Sequence, residues 1–356
     1  MDLYAGQRQR LEIEKQMRRE FRALRKLLHP NVVRLVGVVL DSREYVALLM
    51  ELCDRGSLRK LLDDDPAQAL HNPILQLSLA LDTACGMAYL HGRKTPMLHR
   101  DLKSANVLLT ESSGGLAGGR LLAKIGDFGL ATGLGTTTIA MTATKADHCG
   151  GTPAYKAPEV FENRFTVKSD VYSFGVIAYE LACAERPWAI DANGKPHTEA
   201  SVMMAVVSGE RPVLPPTPVT VSVPPSAFAP VLYPNTPELV AISHAALCDI
   251  ATSAWHAEPK ERPSFVALRG ELNRALSEVQ AAETRLNGGG SPSSPAAAPA
   301  DAPAAAPSSA PASAVLRECS GSLTMEGGAC DIFISFRFGD SHAEAIVLRR
   351  ALEARG

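Results

Sequence analysis

Apolar positions near the start of the chain recur at helical intervals. Between Leu11 and Leu28, the residues Met17, Phe21, Leu24 and Leu28 follow one another at spacings of four, three and four, which predicts a helix with one buried stripe. His29-Pro30 ends it, because a residue before proline is pushed out of the α region. Val32 to Leu40 and Tyr45 to Leu49 are rich in β-branched and apolar residues, with the polar Asp41-Ser42-Arg43-Glu44 between them, and predict a β-hairpin. Gly56-Ser57-Leu58 marks the opening of the next helix. Pro73 to Leu90 then predicts a second amphipathic helix, with Leu77, Leu81 and Ala84 on one face. Further on, two short β-type segments, Met97-Leu98 and Val107 to Leu109, flank a polar loop. Ser169 to Val176 is an apolar helix for which Asp170 is a candidate N-cap, and a last helix runs to about Leu286.

The pattern stops at Asn287. From there to Ser313 the sequence is Gly, Ser, Pro and Ala almost throughout, which predicts a disordered linker. Ser112-Ser113-Gly114-Gly115 with Gly118-Gly119, and the Pro-rich stretch from Val213 to Pro237, read as a flexible loop tip and a surface insertion. Beyond the linker, Asp331-Ile332-Phe333-Ile334-Ser335-Phe336-Arg337 is a strand, and Gly339-Asp340 turns the chain. Ser341-His342-Ala343-Glu344 spells a capping box before a helix carrying Ala345, Leu348 and Leu352 on one side.

Composition narrows the class. A 46% hydrophobic and 21% charged chain of 356 residues is that of a soluble globular protein with room for one large domain plus extras. A formal net charge of -2 gives no global reason to bind nucleic acid or an acidic membrane. The cluster Arg18, Arg19, Arg22, Arg25 and Lys26 alternates with acids and reads as a solvated face. Seven cysteines without CxxC spacing fit reduced thiols in a cytoplasmic setting. No apolar run approaches the roughly 18 residues of a membrane span.

The chemistry concentrates in His99-Arg100-Asp101-Leu102-Lys103-Ser104-Ala105-Asn106, which sets a carboxylate, an ammonium and a carboxamide on one short turn. This stretch resembles the catalytic loop of eukaryotic protein kinases. Asp127-Phe128-Gly129 is similar to the family's metal-binding triplet, and Ala157-Pro158-Glu159 to the end of its activation segment. The wording of His29-Pro30-Asn31-Val32-Val33 and of Ser169-Asp170-Val171-Tyr172-Ser173-Phe174-Gly175 most resembles the tyrosine-kinase-like group of Ser/Thr kinases. The implied fold class is α+β: a protein-kinase-like fold with an incomplete N-lobe and a helical C-lobe over residues 1–286, a linker over 287–327, and a short α/β segment over 328–356. That last segment resembles the start of a TIR domain.

The resemblance implies roles residue by residue. Asp101 would accept the proton of the attacking hydroxyl, and Lys103 would neutralise charge on the moving phosphoryl group. Thr152 would bridge Asp101 and Lys103. Asn106 and Asp127 would hold Mg²⁺ on ATP. Met50, Glu51, Leu52 and Cys53 correspond to the gatekeeper and hinge whose backbone meets the adenine, and Glu20 to the carboxylate that holds a phosphate-gripping lysine. Leu24, Leu35, His99 and Phe128 would stack into a spine. Asp170 would bond the catalytic-loop backbone, and Arg262 would pair with Glu159. Arg100 would receive a phosphate from Thr136, Thr137, Thr138, Thr142 or Thr144. Lysine two residues after Asp101 fits kinases acting on Ser/Thr in protein substrates.

One departure matters. Nothing upstream of Leu11 resembles a Gly-x-Gly-x-x-Gly loop, and no lysine precedes the first helix in a Val-Ala-x-Lys strand. The expectation is a kinase truncated at both ends, with weak or absent transfer by these residues alone, coupled to TIR–TIR partners. The alternative is a pseudokinase and TIR scaffold that transfers nothing.

Overall fold

The computed structural model describes residues 24–40, 46–111, 120–127, 132–133, 152–190, 194–219, 237–286 and 332–336. Met17, Glu20, Phe21, Phe128, the five candidate threonines, the loop tip at 112–119, most of the Pro-rich insertion and the linker lie outside them.

The predicted first helix reaches the described region only at Leu24, its last helical residue. Leu24 and Leu27 are buried, whereas Leu28 is 71% exposed. The expected stripe therefore fails at its final member: the backbone has left the helix by Arg25, so the helical period no longer decides which side chain faces inward. β1 (Leu35–Leu40) and β2 (Val46–Glu51) form the predicted antiparallel hairpin, with Leu35 opposite Met50 and Leu40 opposite Val46.

α1 (Leu58–Asp64) is capped by Ser57, whose side chain accepts from the Lys60 amide. α2 (Pro66–Leu70) follows at once, and α3 (Pro73–His91) is capped by Asn72. α3 was expected to be amphipathic, but it is buried nearly all round, including Gln76, Ser78, Asp82 and Thr83. Neighbours cover every face, so its polar side chains bond inward: Gln76 Nε2 donates to the Leu181 carbonyl, and Asp82 accepts from Arg120 and from the Ala123 amide. Gly86 in this helix is required by contact, since a Cβ there would lie 2.4 Å from the Asn31 carbonyl oxygen.

β3 (Met97–Leu98) leads into the polar loop, and β4 (Val107–Glu111) leaves it. β4 pairs antiparallel with β5 (Leu121–Ile125), and β3 with β6 (Thr132–Gly133). α4 (Val167–Cys183) begins with a capping box between Thr166 and Ser169. Asp170 is therefore not the N-cap; Thr166 takes that place, and Asp170 stands inside the first turn, where its carboxylate is available to another segment. α5 (Glu199–Val207), α6 (Pro237–Ala254) and α7 (Phe265–Leu286) complete the helical part. α3 packs on α7 and α4 on α6 around one core that includes Leu77, Met87, Phe174, Leu247, Trp255 and Leu268.

Arg262 is almost wholly buried and donates from Nη1 and Nη2 to the two carboxylate oxygens of Glu159 at 2.7 and 3.0 Å, the pair the resemblance implied. The final described strand, β7 (Ile332–Phe336), forms where the run of β-formers predicted it. It pairs antiparallel with β2, Ile332 opposite Glu51 and Phe336 opposite Ala47, giving the sheet order β1-β2-β7. No helix among the described residues is long and apolar enough to cross a membrane.

Candidate functional site

The polar loop between β3 and β4 is held from beneath by Asp170 on α4. Its Oδ2 accepts from the His99 amide at 2.9 Å and lies 2.8 Å from His91 Nε2, while Oδ1 accepts from the Arg100 amide at 2.9 Å. Burial pushes this carboxyl up, but the His91 hydrogen bond, the charges of His91 and His99 and the His99 amide outweigh it and hold the group below its ordinary value. The clamp matters because Arg100 sits at φ 70, a left-handed conformation that a non-glycine residue keeps only when its surroundings impose it. The Arg100 side chain lies over the Phe165 ring, its guanidinium carbon 4.8 Å from the centroid.

Above the clamp, the expected catalytic residues come together. Lys103 Nζ donates to Asp101 Oδ2 at 2.8 Å and to Thr152 Oγ1 at 3.1 Å. The Thr152 amide donates to Asp101 Oδ1 at 3.3 Å, so the bridge uses the hydroxyl on the lysine side and the backbone on the aspartate side. Asn106 Nδ2 donates to the Asp101 carbonyl at 2.7 Å and to its Oδ2 at 3.2 Å, leaving the amide oxygen as the atom able to ligate a cation. Asp127 is brought alongside by its neighbour: the Gly126 amide donates to the Asn106 carbonyl at 2.9 Å, and the Gly126 carbonyl lies 2.9 Å from His99 Nε2. Asp127 itself is exposed, at φ 53. Among the described residues no group of three His, Cys, Asp or Glu could hold a metal. One amide oxygen and one carboxylate still suit Mg²⁺, which takes few protein ligands and completes its shell with phosphate and water.

The expected adenine segment is positioned by β2. Met50 is buried at the strand's end. Glu51 Oε1 accepts from the Arg34 amide at 2.7 Å and from Lys124 Nζ at 3.0 Å, and the Glu51 amide donates to the Arg34 carbonyl at 3.0 Å, so this residue is tied to Arg34, next to β1, and to β5. Burial, reinforced by Glu51, raises the Cys53 thiol to about 11, which keeps it protonated at neutral pH. A cleft of about 430 Å³ is lined by Leu28, His29, Pro30, Arg34, Glu51 and Lys124. It includes none of the catalytic-loop residues.

Comparison with known proteins decides the family. The protein kinase domain family matches residues 4–271, three quarters of the chain. The chain belongs to the protein kinase family. It is 39% identical over 171 residues to the serine/threonine-protein kinase CTR1 of Arabidopsis thaliana, covering 48% of this chain and 19% of that protein. It is 33% identical over 272 residues to receptor-interacting serine/threonine-protein kinase 3 of Rattus norvegicus, covering 75% and 50%. To the probable serine/threonine-protein kinase roco6 of Dictyostelium discoideum it is 33% identical over 253 residues, covering 70% and 10%. The chain thus spans half or less of the length of these relatives.

This kinase domain also holds a polar cluster that the motifs did not point to. Glu180, wholly buried on α4, accepts at Oε1 from Arg59 Nη1 at 2.7 Å, from Tyr155 OH at 2.7 Å and from Ser104 Oγ at 2.9 Å. Burial pushes the Glu180 carboxyl up, against the holding effect of Tyr155, Arg59 and Ser104. One signal for it was in the sequence: a lone carboxylate in the apolar run Val176-Ile177-Ala178-Tyr179-Glu180-Leu181-Ala182 needs a partner if that run is buried on all sides.

Proposed function

We propose that this chain is the catalytic part of a protein serine/threonine kinase that moves the γ-phosphoryl group of ATP to Ser or Thr hydroxyls of protein substrates. The observation that carries the reading is the Asp101 carboxylate held at once by Lys103, Asn106 and the Thr152 amide. A hydroxyl entering beside it would give its proton to Asp101 as its oxygen bonds to the γ-phosphorus. The bond from that phosphorus to the bridging oxygen breaks, and its electron pair leaves with ADP. Lys103, already bonded to Asp101 and Thr152, would offset negative charge near the transferred group. Asn106 and Asp127 would hold Mg²⁺, which when bound neutralises the phosphate oxygens. Met50, Glu51 and Cys53 would line the adenine end, and Glu20 would serve from the first helix. Lysine two residues after Asp101, together with likeness to CTR1 and receptor-interacting kinase 3, supports Ser/Thr as acceptors. Arg100 supports control through a phosphorylated threonine.

The TIR-like spelling of residues 331–344 supports coupling of the kinase to an association module that meets TIR partners in the cytoplasm. The alternative, a binding platform without transfer, is separated from the kinase reading by experiment. The deciding experiment measures phosphate transfer from Mg-ATP to a mixed Ser/Thr peptide library by the chain and by Asp101→Asn. The kinase reading expects transfer, weak from these residues alone, that the substitution lowers by about 10²-fold or more, the scale of a lost general base. Equal transfer by both proteins would refute the role of Asp101. Binding of Mg-ATP with no transfer by either would favour the platform.

A further inference from the structure

Beyond the residues that face substrate, we infer that Arg59 and Glu180 are positioning residues that hold the two halves of the catalytic site in register. Three separate segments converge on one oxygen of Glu180. Arg59 comes from α1, the helix after the Met50–Cys53 segment; Ser104 lies between Lys103 and Asn106; Tyr155 follows Thr152. Ser104 Oγ and Tyr155 OH also lie 3.2 Å from each other. The loop that carries Asp101 and the segment that carries Thr152 are thus tied to one carboxylate, three residues from each functional group. Arg59 makes a further ion pair with Asp63 at 3.0 Å in its own helix and donates to the Ala184 carbonyl at 3.4 Å, so its own direction is fixed.

Stability alone does not account for the arrangement. Glu180 Oε2 and Arg59 Nε are buried without a hydrogen-bond partner among the described residues. A buried ion pair with unsatisfied atoms adds little net stability over an apolar pair of similar size, because desolvation of both charges offsets their attraction. What an apolar pair cannot supply is a charged acceptor that orients two hydroxyls at once. Arg59 on α1 favours the charged form of the carboxylate against the burial that disfavours it, and the same oxygen orients Ser104 and Tyr155.

The inference rests on the proposed role of Asp101 and Thr152, and its test reads structure without ATP, so the two fail separately. Amide exchange over residues 101–106 and 152–157 and thermal unfolding are measured on the full chain and on three variants: Arg59→Lys, Arg59→Met, and Arg59→Met combined with Glu180→Gln. Arg59→Met leaves a buried carboxylate unpaired and lowers the unfolding temperature. The double variant removes both charges and recovers that temperature, but exchange over both segments stays about tenfold faster, the scale of one lost charge-assisted hydrogen bond. Arg59→Lys keeps exchange slow. If the double variant recovers slow exchange together with the unfolding temperature, the cluster is packing and the inference is overturned.

Discussion

Replacing Asp170 with asparagine tests whether α4 imposes the conformation of the catalytic loop. The substitution keeps the shape and removes the charge. Asp170 receives three donors: His91 Nε2 and the His99 amide on one oxygen, and the Arg100 amide on the other. An asparagine offers one acceptor oxygen and an NH₂ group, so at least one donor faces another donor. A hydrogen bond to a charged group contributes about 1.5–3 kcal/mol, and a buried donor left unpaired costs a similar amount. Asp170→Asn should therefore cost about 2–3 kcal/mol. Urea unfolding followed through the buried Trp255 would show it. With a slope of about 3 kcal/mol/M, the midpoint falls by roughly 0.7–1 M. Acid supplies the second arm. Because the folded carboxyl is held below its ordinary value, its contribution is fully present above the unfolded value of about 3.9 and is lost as pH falls through the folded one. The gap between wild type and variant should thus be widest near neutrality and close below about pH 4. A midpoint shift under about 0.2 M, or a gap that stays constant from neutrality to acid, would refute the clamp.

Other substitutions probe other joints. Arg262→Met should cost about 3–5 kcal/mol in urea unfolding by leaving Glu159 charged and buried, whereas adding Glu159→Met should recover most of the loss. Gly86→Ala should destabilise by about 1–3 kcal/mol in the same assay, since the new methyl group meets the Asn31 carbonyl oxygen and Ile125 Cγ1. Phe333→Pro removes a ladder donor opposite Met50, so hydrogen exchange of β2 amides should quicken while the amides of α3 keep their protection.

Where local chemistry and burial agree, the fold could be read from the amino acids. The hairpin of β1 and β2, the start of α1 at Ser57 and the end of α7 at Leu286 follow from runs of β-formers around a polar turn, the Gly56-Ser57-Leu58 signal and the change to Gly, Ser, Pro and Ala after Leu286. The loop residues Asp101, Lys103 and Asn106 were legible because a short turn keeps them adjacent, and Thr152 followed from the family resemblance. α3 was misjudged because periodicity reports only how apolar a face is. A helix surrounded by neighbours buries Gln76 and Asp82 as readily as Leu77, provided each polar group finds a partner. Asp170 was misplaced as a cap because its spelling suits a helix start, and only the Thr166–Ser169 box shows where the helix begins. The Glu180 cluster was missed because its members are scattered along the chain and meet only once α1, α4 and the loop are packed.

Those two acidic residues also explain how a loop can hold an unfavourable backbone. Arg100 and Asp127 both adopt positive φ, at 70° and 53°, and each such non-glycine residue costs of order 1–3 kcal/mol unless the fold compels it. Asp170 and Glu180 lie on one helix, about 15 Å apart along its axis at 1.5 Å per residue. One holds the loop's entry through the His99 and Arg100 amides, and the other holds its exit side through Ser104. A loop fixed at both ends by one rigid helix cannot relax by sliding or by rotating about a single anchor. The bonds from Gly126 to Asn106 and to His99 then carry that constraint to Asp127. Strain at the two positions is thus distributed over one helix buried in the core, and loosening either anchor should disturb Asp101 and Asp127 together rather than singly.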